Sequence, residues 1–176
     1  MKRIRRRKKR LSIERLDSRL MLHGGDIHPQ VNGDTVIVVA TAQDDEVVLQ
    51  LGDLTHVLRV GDEQFRYNAA DISTFHIGAG TGHDKVRVIG TSRNDHAFLL
   101  NDDGRFWSEE YAVYTYAFDE SIYQGEGGVD YGQIYGSAGD DELVGLPLDT
   151  TLTGPLTTLR MVGFERVDSY GREGND

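Results

Sequence analysis

Gly82–Asp95 reads GHDKVRVIGTSRND, and the same pattern returns at Gly128–Asp141 (GVDYGQIYGSAGDD) and Asn32–Asp45 (NGDTVIVVATAQDD). Each copy sets an Asp, ten residues, then a second Asp: Asp34 and Asp45, Asp84 and Asp95, Asp130 and Asp141. Gly174-Asn175-Asp176 opens a fourth copy, so the leading aspartates advance by 50, 46 and 46 residues. Self-similarity at such a period is the mark of a stacked repeat architecture. On this reading the given sequence is a segment of a longer array.

Within each copy the residues after the leading Asp alternate. Val36 and Val38 flank Ile37, Val86 and Val88 flank Arg87, and Gly132 and Ile134 flank Gln133. A period of two with one apolar face predicts a half-buried strand. Ala40, Gly90 and Gly136 follow at one register, and small residues there point to a turn or to close backbone packing between layers. Between motifs, Val47, Leu49 and Leu51 alternate, then His56, Leu58 and Val60, then Phe65 and Tyr67, with Gly52-Asp53 and Gly61-Asp62 as turns. That is a meander on Gly-Asp turns. Phe98–Leu100, the turn at Asn101–Gly104 and Tyr111–Ala117 form its counterpart in the second copy. Ile72, Phe118 and Phe164 each precede a leading Asp by twelve residues and read as a stacked core column.

The expected fold is all-β: a parallel β-helix-like repeat solenoid with protruding hairpins, with an antiparallel meander or sandwich as the alternative. Residues 1–22 form a basic N-terminal segment, 23–33 a linker, and 34–176 a repeat domain whose copies span about 34–83, 84–129 and 130–175. Forty-six residues exceed one compact coil, so each copy is two coils or one coil carrying a hairpin.

Composition narrows the function classes. The 176 residues suit one domain. The net charge of −10 hides a split: residues 1–19 hold ten of the 19 Lys and Arg against Glu14 and Asp17, leaving nine cations against 27 acids beyond. A body near −18 argues against nucleic acid as a partner. There is no cysteine, which excludes disulfides and thiolate chemistry. No run of residues is apolar for the length of a membrane span. Linker residues His23, Asp26 and His28 carry metal-ligating side chains, but in a flexible junction.

The N-terminus reads KRIRRRKKR and then LSIERLDSRLML, with Ile13, Leu16 and Leu20 at helical spacing. Ile13, Glu14, Leu16, Asp17, Arg19, Leu20 and Leu22 resemble the N-terminal motif of large planctomycete secreted and surface proteins, with Asp17-Ser18 standing where that motif has a Glu. The stretch from Asp130 to Asp176 is similar to the β-repeats of the same proteins at Asp130, Tyr135, Ser137 to Asp141, Pro147, Gly154, Gly163, Phe164, Val167, Tyr170, Gly174 and Asp176. The resemblance implies an exported, surface-associated β-repeat protein whose partners are cell-surface or extracellular matrix components, glycans among them. It brings no catalytic residues.

The carboxylates are the candidate site. AGTGHDKVR at Ala79–Arg87, GSAGDDELV at Gly136–Val144 and GEGGVDYGQ at Gly125–Gln133 resemble the calcium-binding nonapeptide of haemolysin-type (RTX-like) repeats. Gly-rich turns free carbonyl oxygens and Asp supplies charge, which suits calcium. The candidate metal ligands are Asp45, Asp84, Asp95, Asp130, Asp140 and Asp141. A strand of five or six residues separates Asp84 from Asp95, so any shared ion must bridge layers, from Asp84 to Asp130 and from Asp95 to Asp141. The competing reading makes each Asp a plain turn former. No P-loop, nucleophile elbow, dinucleotide fingerprint or zincin motif is present, and the chain reads as a non-enzyme. The only acids near a cation and an aromatic are Asp102, Asp103, Glu109 and Glu110, beside Arg105 and Trp107. A carbohydrate-binding or carbohydrate-cleaving role for Phe106–Tyr116 is the alternative function, with core packing as the bland reading of those aromatics.

Overall fold

A computed structural model describes residues 27–174. The basic segment at 1–22 with its expected helix, and His23 and Asp26 of the linker, lie outside the described residues.

Strands follow the alternation read above. They are β1 (Gln30–Asn32), β2 (Thr35–Val39), β3 (Glu46–Gln50), β4 (Thr55–Val60), β5 (Glu63–Asn68), β6 (Thr74–Gly78), β7 (Lys85–Ile89) and β8 (His96–Leu100). The second half holds β9 (Asp103–Trp107), β10 (Ala112–Tyr116), β11 (Glu120–Gln124), β12 (Tyr131–Tyr135), β13 (Glu142–Leu146), β14 (Asp149–Thr153), β15 (Thr158–Val162) and β16 (Arg166–Tyr170). Most are five residues long, and the second and fourth side chains point inward: Val36 and Val38, Phe75 and Ile77, Val86 and Val88, and Ala97 and Leu99 are all essentially inaccessible.

Two eight-stranded sheets form. Sheet I runs β1-β2-β6-β10-β9-β8-β12-β16 and sheet II runs β13-β14-β15-β11-β7-β3-β4-β5. The chain winds between them as a β-solenoid. Parallel ladders join β2 to β6 to β10 and β8 to β12 to β16 in sheet I, and β3 to β7 to β11 to β15 in sheet II. Alternating inward side chains of both sheets fill one continuous core. Sheet II supplies the bulk where sheet I is thin. A Cβ at Gly104 would lie 2.1 Å from the Tyr123 hydroxyl, and one at Gly132 would lie 2.2 Å from the Met161 sulfur. The Tyr123 hydroxyl in turn meets Thr115 Oγ1 at 2.7 Å, so its one polar atom is satisfied inside the core.

The expected hairpins are present, but they extend the sheets in their own plane instead of projecting outward. β4 and β5 continue sheet II from β3, β9 joins β8 to β10 within sheet I, and β14 joins β13 to β15 within sheet II.

One expectation is corrected: successive layers are not 46 residues apart. Arg87 pairs with Ile122, 35 residues on, and Val48 pairs with Arg87, 39 residues on. Val88 stands in sheet II between Leu49 and Tyr123, whereas Ile134 stands in sheet I between Leu99 and Ser169. Phe118 and Phe164 are both buried, but they occupy turns on opposite rims of the solenoid and form no column. The reason is geometric. A strand and its six-residue turn make an 11-residue unit, as from Lys85 to His96. Both sheets use the same unit. A step of 46 is one 35-residue coil and one such unit, so it lands on a matching turn on the other rim.

Candidate functional site

Except for the β5–β6 turn, which ends in Ser73, each turn that carries the chain from one sheet to the other ends in an acid placed directly before a strand. Asp45, Asp84, Asp119 and Asp141 lie on the first rim, where sheet I passes to sheet II. Asp95, Asp130 and Glu165 lie on the second rim, where sheet II passes back. Asp84, Asp95 and Asp130 are buried to within 1 % of full exclusion from solvent, a situation that demands hydrogen-bond partners for a charged group.

The partners are backbone amides, in two sets. Within its own turn, the carboxylate accepts from the N–H four residues back: Thr41 to Asp45 at 2.7 Å, Gly80 to Asp84 at 3.0 Å, Thr91 to Asp95 at 3.0 Å and Ser137 to Asp141 at 2.7 Å. Across layers, it accepts from the N–H of the acid in the preceding coil. Asp45 N donates to Asp84 Oδ1 at 2.9 Å and Asp84 N to Asp119 Oδ2 at 2.8 Å. On the other rim Asp95 N donates to Asp130 Oδ1 at 2.8 Å and Asp130 N to Glu165 Oε2 at 2.6 Å. The residue before the acid adds a return contact. His83 N donates to Asp44 Oδ1 and Val129 N to Asn94 Oδ1, both at 2.8 Å. Two carboxylate–amide ladders therefore rivet the coils at their rims with charge-assisted hydrogen bonds.

The small residue five places before the acid belongs to the same device. A Cβ at Gly90 would lie 2.0 Å from Asp95 Oδ2, and one at Gly125 would lie 2.0 Å from Asp130 Oδ2. The carboxylate folds over that backbone position, which explains Gly90 and Gly136, while the first copy holds the small Ala40 at the same register.

These contacts decide where the expected metal residues stand. Asp84 and Asp95 sit at opposite ends of β7, as expected. Asp84 does not face Asp130, nor Asp95 Asp141; Asp84 joins Asp45 and Asp119, and Asp95 joins Asp130. Asp140 is exposed in the 136–141 turn. Among the described residues no group of three or more His, Asp or Glu side chains is placed to hold a metal ion. The ladder oxygens face N–H donors, the wrong polarity for calcium's neighbours.

Asp130 departs from the pattern. Its Oδ2 is buried without a hydrogen-bond partner. Burial, with the charges of Asp95 and Glu165 nearby, pushes its pKa up to about 6, against the lowering effect of the Asp95 amide. Burial also raises the pKa of Asp95, while a hydrogen bond from the Tyr111 hydroxyl to its Oδ1 favours the ionised form. The same burial and bond raise the pKa of Tyr111.

Sequence reasoning missed Asp119 and Glu165. Their turns are three residues long and lack the Gly-rich signature. The usable signal was simpler: an acid immediately before an alternating strand.

Of the other candidates, Asp102 and Asp103 lie at the β8–β9 turn, and Glu109 and Glu110 lie past the opposite end of β9. They do not share a groove. Trp107 stacks on His96 at 5.4 Å and lies under the Arg105 guanidinium at 4.5 Å. The outer face of sheet I continues this way, with His76 on Tyr114 at 4.8 Å and Tyr135 on Tyr170 at 4.6 Å. Rings stacked across neighbouring strands cover one another's faces. A cleft does open on the second rim, where Arg93 pairs with both Asp53 and Glu110. It comprises adjoining hollows of about 260 and 520 Å3, reaching His56 on one side and Trp107 on the other. His56 Nδ1 accepts from Gly52 N–H, so Nε2 carries the proton given to the Ile72 carbonyl; burial lowers its pKa and keeps it neutral. No helix of the described residues is long and apolar enough to cross a membrane.

Compared with protein-family models, with curated proteins and with solved structures, the chain matches none.

Proposed function

We propose that this chain is a non-catalytic scaffold module: a β-solenoid of an exported or cell-surface protein that spaces or displays other parts of its assembly. One observation carries the reading. The side chains with chemical potential at the rims, the buried aspartates, are directed at the backbone of the neighbouring coil and not at an open cleft. The acidic body beyond residue 19 and the resemblance to planctomycete surface repeats support the location.

Calcium belongs to this proposal at one place. Asp130 Oδ2 is the buried ladder oxygen without a hydrogen-bond partner among the described residues, so a cation that stiffens the rod is expected there, while the other ladder carboxylates work through amides. Thermal melting separates the parts. Asp84→Ala should lower stability by about 2–4 kcal/mol, because it strands the Gly80 and Asp45 amides. An unchanged melting temperature would remove the scaffold reading. Millimolar calcium should raise the melting temperature of the wild type and not of Asp130→Asn; equal responses would remove calcium from Asp130.

The second-rim cleft favours a second reading, a carbohydrate-binding module. Asp53, Glu110 and Arg93 offer polar contacts beside the edge of Trp107. Glycan-array binding that is lost in Trp107→Ala and in Glu110→Gln would support it, and absence of binding by the wild type would end it.

A further inference from the structure

Sheet edges are where a β-protein is open to addition, and natural proteins guard them with charge, brevity or bulges. Three of the four edges here are guarded. β1 has three residues, β5 carries Glu63 and Arg66, and β16 carries the Arg166–Asp168 ion pair. The fourth, β13, reads Glu-Leu-Val-Gly-Leu and is exposed throughout, with Leu143, Val144 and Leu146 48 %, 47 % and 61 % accessible. No charge follows Glu142 along the strand.

The topology says what this edge fits. β13, β14 and β15 repeat in sheet II what β8, β9 and β10 do in sheet I: an outgoing strand, a return strand, and a third strand that rejoins the parallel ladder. The other edge of β8 holds β12 in parallel register, His96 with Tyr131. The turn leading into β12 lies on the turn leading into β8, with Gly128 closely packed on Arg93 and Asn94. The corresponding seat beside β13 is already formed. Gly136 N donates to the Tyr170 carbonyl at 2.9 Å. Gly174 has a φ of +138°, and a Cβ there would lie 2.4 Å from the Gly139 carbonyl, so the turn after β16 rests on the turn before β13.

We propose that the free edge of β13 accepts one further coil in cis: a strand that follows the turn after β16 and lies parallel to β13, then a strand along β16. Parallel register gives the first strand apolar side chains at its second and fourth places, over Leu143 and Gly145. The inference builds on the scaffold reading, yet fails separately from it, because the ladder variants do not touch β13.

The test appends the sixteen residues Lys85–Leu100, one strand of each sheet with their turn and with Val86 and Val88 at the second and fourth places, after Asp176. Hydrogen exchange at the β13 amides should slow by at least about tenfold, and the melting temperature should rise by several degrees relative to a scrambled extension. The same peptide added free at millimolar concentration should give a smaller, saturable slowing, which keeps the test valid if the extended chain does not fold. Unchanged exchange in both experiments would overturn the proposal. So would a dimer in sedimentation whose β13 amides are already protected, since the edge would then serve a second copy.

Discussion

Asp130 shows how a single carboxylate sets a pH dependence. Its pKa stands near 6 when folded, against about 3.8 ordinarily. A raised folded pKa means that the folded chain holds this proton more tightly than the unfolded chain. The associated stability is complete below about pH 4, declines as pH rises through 6, and is absent above. A shift of that size corresponds to roughly 3 kcal/mol. Asp130→Asn cannot titrate. Denaturant melts at pH 4 and pH 7 should therefore show the difference between variant and wild type moving by about 3 kcal/mol in the variant's favour. A difference that stays constant with pH would mean that the buried Oδ2 is solvated or paired in solution. Asp95 differs because its two oxygens are engaged by Thr91 N and the Tyr111 hydroxyl. The Asp at each Gly-rich motif turn was plain in the sequence. What it touches was not, since backbone amides of another coil leave no mark on residue identity.

The strand-and-turn unit carries the fold at the next scale. Alternation located β2, β3, β4, β5, β7 and β12 because one face of each is buried and the other is wet. β13 was harder to place by burial, for its apolar residues face no second sheet. The strand glycines make a graded prediction. Gly104→Ala puts a methyl 2.1 Å from the Tyr123 hydroxyl and 2.6 Å from Thr115 Oγ1, within a packed core. It should destabilise by about 1–3 kcal/mol. Gly145→Ala, with nothing within 4 Å of the added carbon, should change the melting temperature by little. Equal effects would contradict the assigned facing of β9 and β13. The short turns at 117–119 and 163–165 explain why the repeat looked irregular. They shorten the strand-to-strand step from 11 residues to eight, as from Ala112 to Glu120, so no single sequence period aligns all coils.

For the molecule as a whole, the solenoid class was legible and the coil length was not. Repeats of Asp, strand and turn announce stacking, but two sheets built from one unit look alike in sequence. A 46-residue match therefore joined Arg87 to Gln133, residues of different sheets, while the true neighbour Ile122 shares no motif with Arg87. The acid ladders were misassigned for the same reason. Stability in such a rod is the sum of contacts between adjacent coils, so everything proposed for the rims depends on which coils are adjacent. The chain has no cysteine, which permits a direct measurement. Directly paired strand residues have the Cα separation that a disulfide bridges. Under oxidation, Arg87→Cys combined with Ile122→Cys should cross-link rapidly and completely within one chain, and Arg87→Cys combined with Gln133→Cys should not. The reverse outcome, a bond across 46 residues and none across 35, would contradict the account.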